Sequence, residues 1–567
     1  MIMKKMMNSL WPRLIVLMLL CVLSPVNAQS QDPVLDAWAE QASVYECTTC
    51  HIEPRQALRG PEVSFSRQNE LRFWLDNDKH AIARRRVEPL TFEEVREQTS
   101  AGVPEDWVGP SNVLSRRICD KLGFKVDEKE GYEAFRDACL TCHGGYREES
   151  DKQAFAKKED GSLSQPGISC NYCHQVEAKE PKTDWVKNHG VQGQDKAWRM
   201  LPPDQKAAQG MRDLVNTANQ AQNCYDCHIG NRDKKMFVTH VMYAAGHPPL
   251  PGIELETFCS SMPQHWQGES TLHKSLTEAG FEQTDAYFKT NFPTMFEGDR
   301  LQTSPPAKVY WNSRKIIVGA VAARLQTVEL MVKSTTPERW ADYSLYDCAA
   351  CHHELREPSG RQERGYVGAP GRPRQAEWPE TLMNVALVVA GTDVQAKVAA
   401  AEAKLAVAFA QTPFGDPAVV EPIAIELHAH LIEALDRVQS KPISGNGARE
   451  IIRRLALTPK EDLLVYDSAR QVVWAIQVIA AELVEKGEPL PDELAAKVAG
   501  LSETSATGID VELPAGRQTF IYAENLNKDL EHRAKYSPDA LSERLAVIAN
   551  EIVVRAAPPA NTVSDNR

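Results

Sequence analysis

Aromatic residues are scarce in this chain: Phe, Trp and Tyr together make up 7% of its 567 residues. That is a thin supply of flat apolar bulk for a chain long enough to form roughly two to four domains with cores of their own. Positive charge is also in deficit, with 64 Lys and Arg against 77 Asp and Glu and a net charge of −13. Such a balance, with no basic stripe interleaved with aromatics, excludes nucleic acid as a partner. The one basic run, Arg84-Arg85-Arg86, reads as a solvated helix face. Long apolar runs are missing too: past the N-terminal residues, no segment reaches the about 18 consecutive apolar residues of a membrane span. With 43% hydrophobic and 25% charged residues, the chain is nevertheless too apolar to be disordered.

What is present begins at the N-terminus. Lys4, Lys5 and Arg13 precede an apolar run from Leu14 to Leu23, followed by Pro25 and the small-residue pattern Val26-Asn27-Ala28. These are the marks of a secretory signal peptide over residues 1–28, cleaved before Gln29. Cleavage removes cations and no acid, so the expected mature protein is acidic, periplasmic or otherwise exported, and without a membrane span. In an oxidising compartment the remaining cysteines suggest disulfides by default. Their spacing says otherwise.

Five times the chain reads Cys-x-x-Cys-His: Cys47/Cys50/His51, Cys139/Cys142/His143, Cys170/Cys173/His174, Cys224/Cys227/His228 and Cys348/Cys351/His352. Composition alone predicts about 0.008 such matches, and the pattern is that of c-type haem attachment. Two thiols at this spacing form thioethers to the two vinyl groups of one haem, and the adjacent imidazole becomes the proximal iron ligand. Zinc knuckles give no reason for a histidine after every pair, and thioredoxin-like sites lack that histidine. The expected cofactors are therefore five covalent haem c groups. Cys119 and Cys259 fit no such pattern, and a disulfide between them is the expectation for an exported protein.

Ten histidines remain beyond the five proximal ones, and seven of them precede residue 354. That enrichment among the motifs points to distal ligation by histidine, without the potential-raising effect of an axial methionine. His80 follows the first motif on an expected helix, and His247 sits in the turn Gly246-His247-Pro248. His240 lies seven residues before His247, on the same face if the helix is continuous, and His189 stands between the third and fourth motifs. These four are the candidate distal ligands. His265, His273 and His353 read equally well as surface residues, and His428 and His430 as part of a C-terminal helical pattern.

The expected fold is mainly α, with little sheet: a multihaem cytochrome c domain over 29–354, a Pro/Gly/Arg-rich connection over 355–377, a C-terminal helical region over 378–556 and a disordered tail over 557–567. In the helical region, Thr392 with Gln395 reads as a capping box, and Thr458-Pro459 with Glu461 as a helix start, ended near Gly487. Leu463, Tyr466, Val473, Ile476, Ala480 and Leu483 recur there at helical spacing. These helices are expected to cover the haem domain or to form a homo-oligomer interface.

From Cys47 to His353 the sequence resembles the cytochrome c-554 type of multihaem c cytochrome, whose haem packing is also seen in hydroxylamine oxidoreductase and pentahaem nitrite reductase. The resemblance rests on the irregularly spaced Cys-x-x-Cys-His repeats and on the settings Lys79-His80-Ala81 and Gly246-His247-Pro248. It implies stacked haem pairs with rapid electron transfer between them. Departures are also visible: every motif here ends in histidine, where the nitrite reductases typically attach their catalytic haem through a motif ending in lysine. Hydroxylamine oxidoreductase carries eight haems and a crosslinked tyrosine, against five motifs here. Two functions follow as expectations. The first is an exported carrier passing electrons through mostly bis-histidine haems to a redox partner with a basic docking patch. The alternative is an oxidoreductase acting on a small nitrogen or sulfur oxyspecies at one haem with an open axial position.

Overall fold

The computed structural model describes residues 51, 69–104, 107–146, 167–175, 185, 201–266, 289–290, 296–297, 300–301, 310–353, 355–363, 365, 372–502 and 536–552. The fold is mainly helical. Among the described residues, the strands are the two-residue β1 (Phe296–Glu297) and β2 (Arg300–Leu301), paired antiparallel.

Helices in the first part are short: α1 (Glu70–Asn77), α2 (Ala83–Val87), α3 (Pro110–Leu122), α4 (Cys170–His174), α5 (Thr217–His228), α6 (His240–Ala245) and α7 (Leu255–Ser261). Starts and stops crowd this stretch. α3 opens with Pro110, whose missing N–H is no loss in a first turn, and stops at Gly123 with φ +78°. α5 is capped by Asn216, whose side chain accepts from the backbone N–H groups of Ala218 and Asn219.

A longer set follows: α8 (Trp311–Val332), α9 (Trp378–Ala390), α10 (Thr392–Gln411), α11 (Pro417–Ser440), α12 (Gly445–Ala456), α13 (Tyr466–Glu485), α14 (Asp492–Ala499) and α15 (Pro538–Glu551). α8 is the hub. Ile316, Ile317, Val318, Ala320, Val321, Ala323 and Val328 are buried on all its sides, as expected for a helix surrounded by protein. It packs against α9, α11 and α13 as well as against α5 and α7. Its N-terminus is capped from a distance: Glu482 of α13 accepts from the Asn312 and Ser313 backbone N–H groups at 2.7 and 2.9 Å. The carboxylate thereby satisfies two orphan donors at the positive end of the helix dipole. Arg324, also on α8, is buried but paired with Glu402 at 2.7 Å and Glu380 at 3.1 Å.

Several local expectations are corrected. Arg84 does not lie on a solvated face: it is buried, and donates to the Tyr132 hydroxyl at 2.9 Å and to Glu88 at 3.4 Å. These two partners are what make its burial tolerable. Thr392 is the first residue of α10, with Gly391 as N-cap and no side-chain cap. The start signal at Thr458 yields only a 3-10 turn, Lys460–Leu463, and the long helix begins at Tyr466. The largest apolar core includes Tyr310 and Ile316, ahead of the Pro/Gly/Arg-rich connection, as well as residues of the helices after it.

Candidate functional site

Helical turns carry residues of three of the motifs. Cys224, Cys227 and His228 form the last turn of α5, and Cys170, Cys173 and His174 make up α4. Helical residues three and four apart share a face, so two thiols and an imidazole project to one side. Cys139 sits in a π-helical turn, Arg136–Leu140, directly before the helical turn that holds Cys142 and His143. Cys348 opens a 3-10 turn that Cys351 and His352 follow. Of the first motif, His51 is described, with Nδ1 2.9 Å from Glu70 Oε2, while Cys47 and Cys50 lie outside the described residues.

Three motifs converge. Cys142, Cys173 and Cys227 all pack against one small cluster of Ile168, Tyr172 and Met236. One turn earlier, the first cysteines pack against other groups, Cys139 against the cluster that holds Cys119 and Phe135, and Cys224 against the one that holds Cys259 and Tyr225. The expected Cys119–Cys259 disulfide is therefore absent: α3 and α7 bury the two free thiols in different clusters. Burial, reinforced by the Asp120 charge, pushes the Cys119 thiol up to about 12, which leaves it protonated and unreactive.

Four motif histidines face a second histidine at nearly the same ring-centre distance. His143 and His247 are 6.4 Å apart, His174 and His265 6.2 Å, His228 and His80 6.3 Å, and His352 and His240 6.3 Å. Packed rings elsewhere in the chain lie at similar distances, Phe258 and Trp474 at 6.2 Å among them, so the pairing of four motif histidines each with a second imidazole carries the weight. Two metal–nitrogen bonds of about 2 Å plus the ring radii also give about 6 Å. The donor sets and spacing thus fit an iron between each pair.

The supports of these second histidines come from the fold. His80 stands on a 3-10 turn behind α1, and its backbone carbonyl accepts from Ile168 N at 2.8 Å, tying it to the segment that leads into α4. His240 opens α6, and its N–H donates to Asp342 at 3.0 Å, next to the fifth motif. His247 comes after the end of α6, past Gly246 with φ +120°. A continuous helical face shared by His240 and His247 is thus not what forms: the break at Gly246 sends the two imidazoles to different motifs. His189 and His273 lie outside the described residues, and His353, though next to the fifth motif, is exposed.

His265 is the residue that sequence reasoning does not single out. It sits beyond α7 in Pro263-Gln264-His265-Trp266, with no periodic pattern to flag it. The available signal is its indole neighbour, whose ring packs edge-on at 5.1 Å. Electrostatics favour the neutral imidazole at two of the motifs. Burial first, then neighbouring imidazoles, lower His143 and His228 to about 4, keeping the lone pair that a metal requires. His80 differs. Burial opposes its charged form, but the hydrogen bond and charge of Asp78 outweigh that and raise its pKa.

Residues 169–247 match the family model described as cytochrome c554 and c-prime. The matched stretch carries the third and fourth motifs together with His240 and His247. The chain resembles that family, and the resemblance supports a c-type cytochrome with covalently bound haem c, active in electron transfer. No curated protein and no solved structure matches the chain. No helix among the described residues is long and apolar enough to cross a membrane.

Proposed function

We propose that the protein is an exported pentahaem c-type cytochrome that carries single electrons between redox partners. The observation that carries this reading is the set of four histidine pairs at 6.2–6.4 Å, each joining a motif histidine to a second one. In this reading Cys47, Cys50, Cys139, Cys142, Cys170, Cys173, Cys224, Cys227, Cys348 and Cys351 anchor the haems. His51, His143, His174, His228 and His352 are the proximal ligands. His247, His265, His80 and His240 take the distal side of the second to fifth motifs, and His189 is the candidate opposite His51.

Haem c held in this way supplies a one-electron ferric/ferrous couple. At the four paired sites the two imidazoles would hold an iron between them, which would leave no coordination position for a substrate there and, with no axial methionine, would keep the potential low. The excess of acidic residues suits a partner with a basic patch, whose association weakens as salt rises.

EPR and ligand-binding spectra of the purified protein test the reading. Five low-spin haems that bind neither carbon monoxide nor nitrite are expected. One high-spin haem that takes up either ligand would replace the carrier with an oxidoreductase acting on a small nitrogen or sulfur oxyspecies. His265→Ala is the sharpest variant: one haem should turn high-spin and bind carbon monoxide, and an unchanged spectrum removes His265 from the ligand set.

A further inference from the structure

The second histidines are not held alike. At the fourth motif, Asp78 N-caps the 3-10 turn that carries His80, and one carboxylate oxygen serves both the turn and the ring: Oδ1 accepts from His80 N at 2.9 Å and from Nδ1 at 2.8 Å. The Asp78 side chain is only 2% exposed, and its other oxygen is buried with no hydrogen-bond partner. At the second motif, His247 Nδ1 instead donates to a neutral acceptor, the Pro248 carbonyl, at 2.7 Å.

We infer that Asp78 is a positioning and potential-setting residue: it holds His80 as a strongly donating imidazole and places the haem of the fourth motif below that of the second in reduction potential. The inference rests on the pairing of His80 with His228 proposed above. A ligating histidine that donates its other N–H to a carboxylate is fixed in one tautomer and becomes a more basic ligand. A more electron-rich iron is harder to reduce, because the ferric state is favoured. Burial strengthens the effect, since little water screens the carboxylate and its second oxygen has no donor to share its charge. A backbone carbonyl carries no net charge and polarises the His247 ring less.

The placement matters to the path of electrons. Cys227 of the fourth motif shares its cluster with Cys142 and Cys173, so this haem adjoins those of the second and third motifs. An electron crossing that group of three would meet one member at lower potential.

Asp78→Asn tests this in the full haem-loaded protein. The amide keeps an oxygen that accepts from both His80 N–H groups but loses the charge. In spectroelectrochemical titration, one of the five reduction waves should move to higher potential, while EPR still shows low-spin haems. D78E, which keeps the charge, should leave that wave closer to its original position than D78N does. Waves unchanged in D78N overturn the inference, as does an equal shift in D78E, and a D78N haem that opens and binds carbon monoxide reduces Asp78 to a support for ligation. Should D78N lose a haem, D78S keeps a capping acceptor for the turn, and the same upward shift is expected of it or the inference falls. His80→Ala separates the two layers: if no haem opens in H80A, the pairing itself is wrong, whatever D78N does.

Discussion

The motif-bearing helices and the C-terminal helices bury their apolar residues in different ways. Around α5 the apolar residues form small separate groups, Ala221, Tyr225, Ile253, Leu255 and Cys259 in one and Ile168, Tyr172 and Met236 in another. From α8 onward they join one continuous core, in which Leu427 and Leu431 of α11, Val473 and Ile476 of α13 and Leu545 and Ile548 of α15 belong to the same cluster. Side chains close the second core by themselves. In the first region both of these groups have a motif cysteine at the edge, so a porphyrin attached there would complete them and make up for the scarcity of aromatics. α8 joins the two regions: Tyr225 of α5 donates to the Gly319 carbonyl at 3.0 Å, an approach open only to glycine, since a Cβ there would meet Leu255 at 2.7 Å.

The largest break in this comparison comes from removing one haem. In the double variant Cys224→Ser, Cys227→Ser, the mass should fall by a single haem and the motif-bearing region should become open to proteolysis, while α9 to α15 keep their protection from hydrogen exchange. Loss of protection in both regions at once would show a single cooperative unit and remove the distinction. Next in size is Leu427→Ala, at a side chain with no exposed surface. Deleting it should cost about 2–5 kcal/mol in denaturant unfolding followed by far-ultraviolet circular dichroism. The haem absorption of the folded variant should stay unchanged, and an altered Soret band would mean that the C-terminal core shapes the haem sites.

The same contrast decides what can be read in the sequence. The Cys-x-x-Cys-His repeats are legible because the proposed attachment chemistry is confined to five consecutive residues. Partners of those histidines are set by tertiary structure, and periodicity misleads where a single backbone break intervenes: Gly246 turns His247 away from the helix that His240 opens. His265 is open to either reading because, its neighbour Trp266 aside, nothing local distinguishes a loop histidine that meets a motif from one that meets water. In the C-terminal region the spacing of Val473, Ile476 and Leu483 marks a helix correctly, since side-chain burial there follows the helical period. The start of that helix is less legible. Pro459 and Glu461 begin a 3-10 turn that seats Leu463 in the core before the long helix sets off at Tyr466.

The smallest effect lies near the junction of the two regions. Glu377, the N-cap residue of α9, has a carboxylate 2.6 Å from Arg374, yet burial, reinforced by Glu380, Asp347 and Asp462, outweighs that cation and raises its pKa from 4.5 to about 7. The sign follows from linkage. Below about pH 4.5 the carboxyl is protonated in both folded and unfolded chains, so it contributes nothing; as pH rises the unfolded chain ionises first, and the penalty is complete above about 7. A tenfold change in an acid's ionisation constant is worth about 1.4 kcal/mol, and relaxation around the partly solvated site reduces the total to the order of 1–2 kcal/mol. Glu377→Gln should therefore stabilise the C-terminal region by that amount at about pH 8 and leave it unchanged at about pH 4, as read from denaturant midpoints at the two values. An equal gain at both would trace the effect to the N-cap rather than to the charge. A matching change in the haem spectra would carry the penalty across α8 and merge the regions that the other two variants are expected to separate.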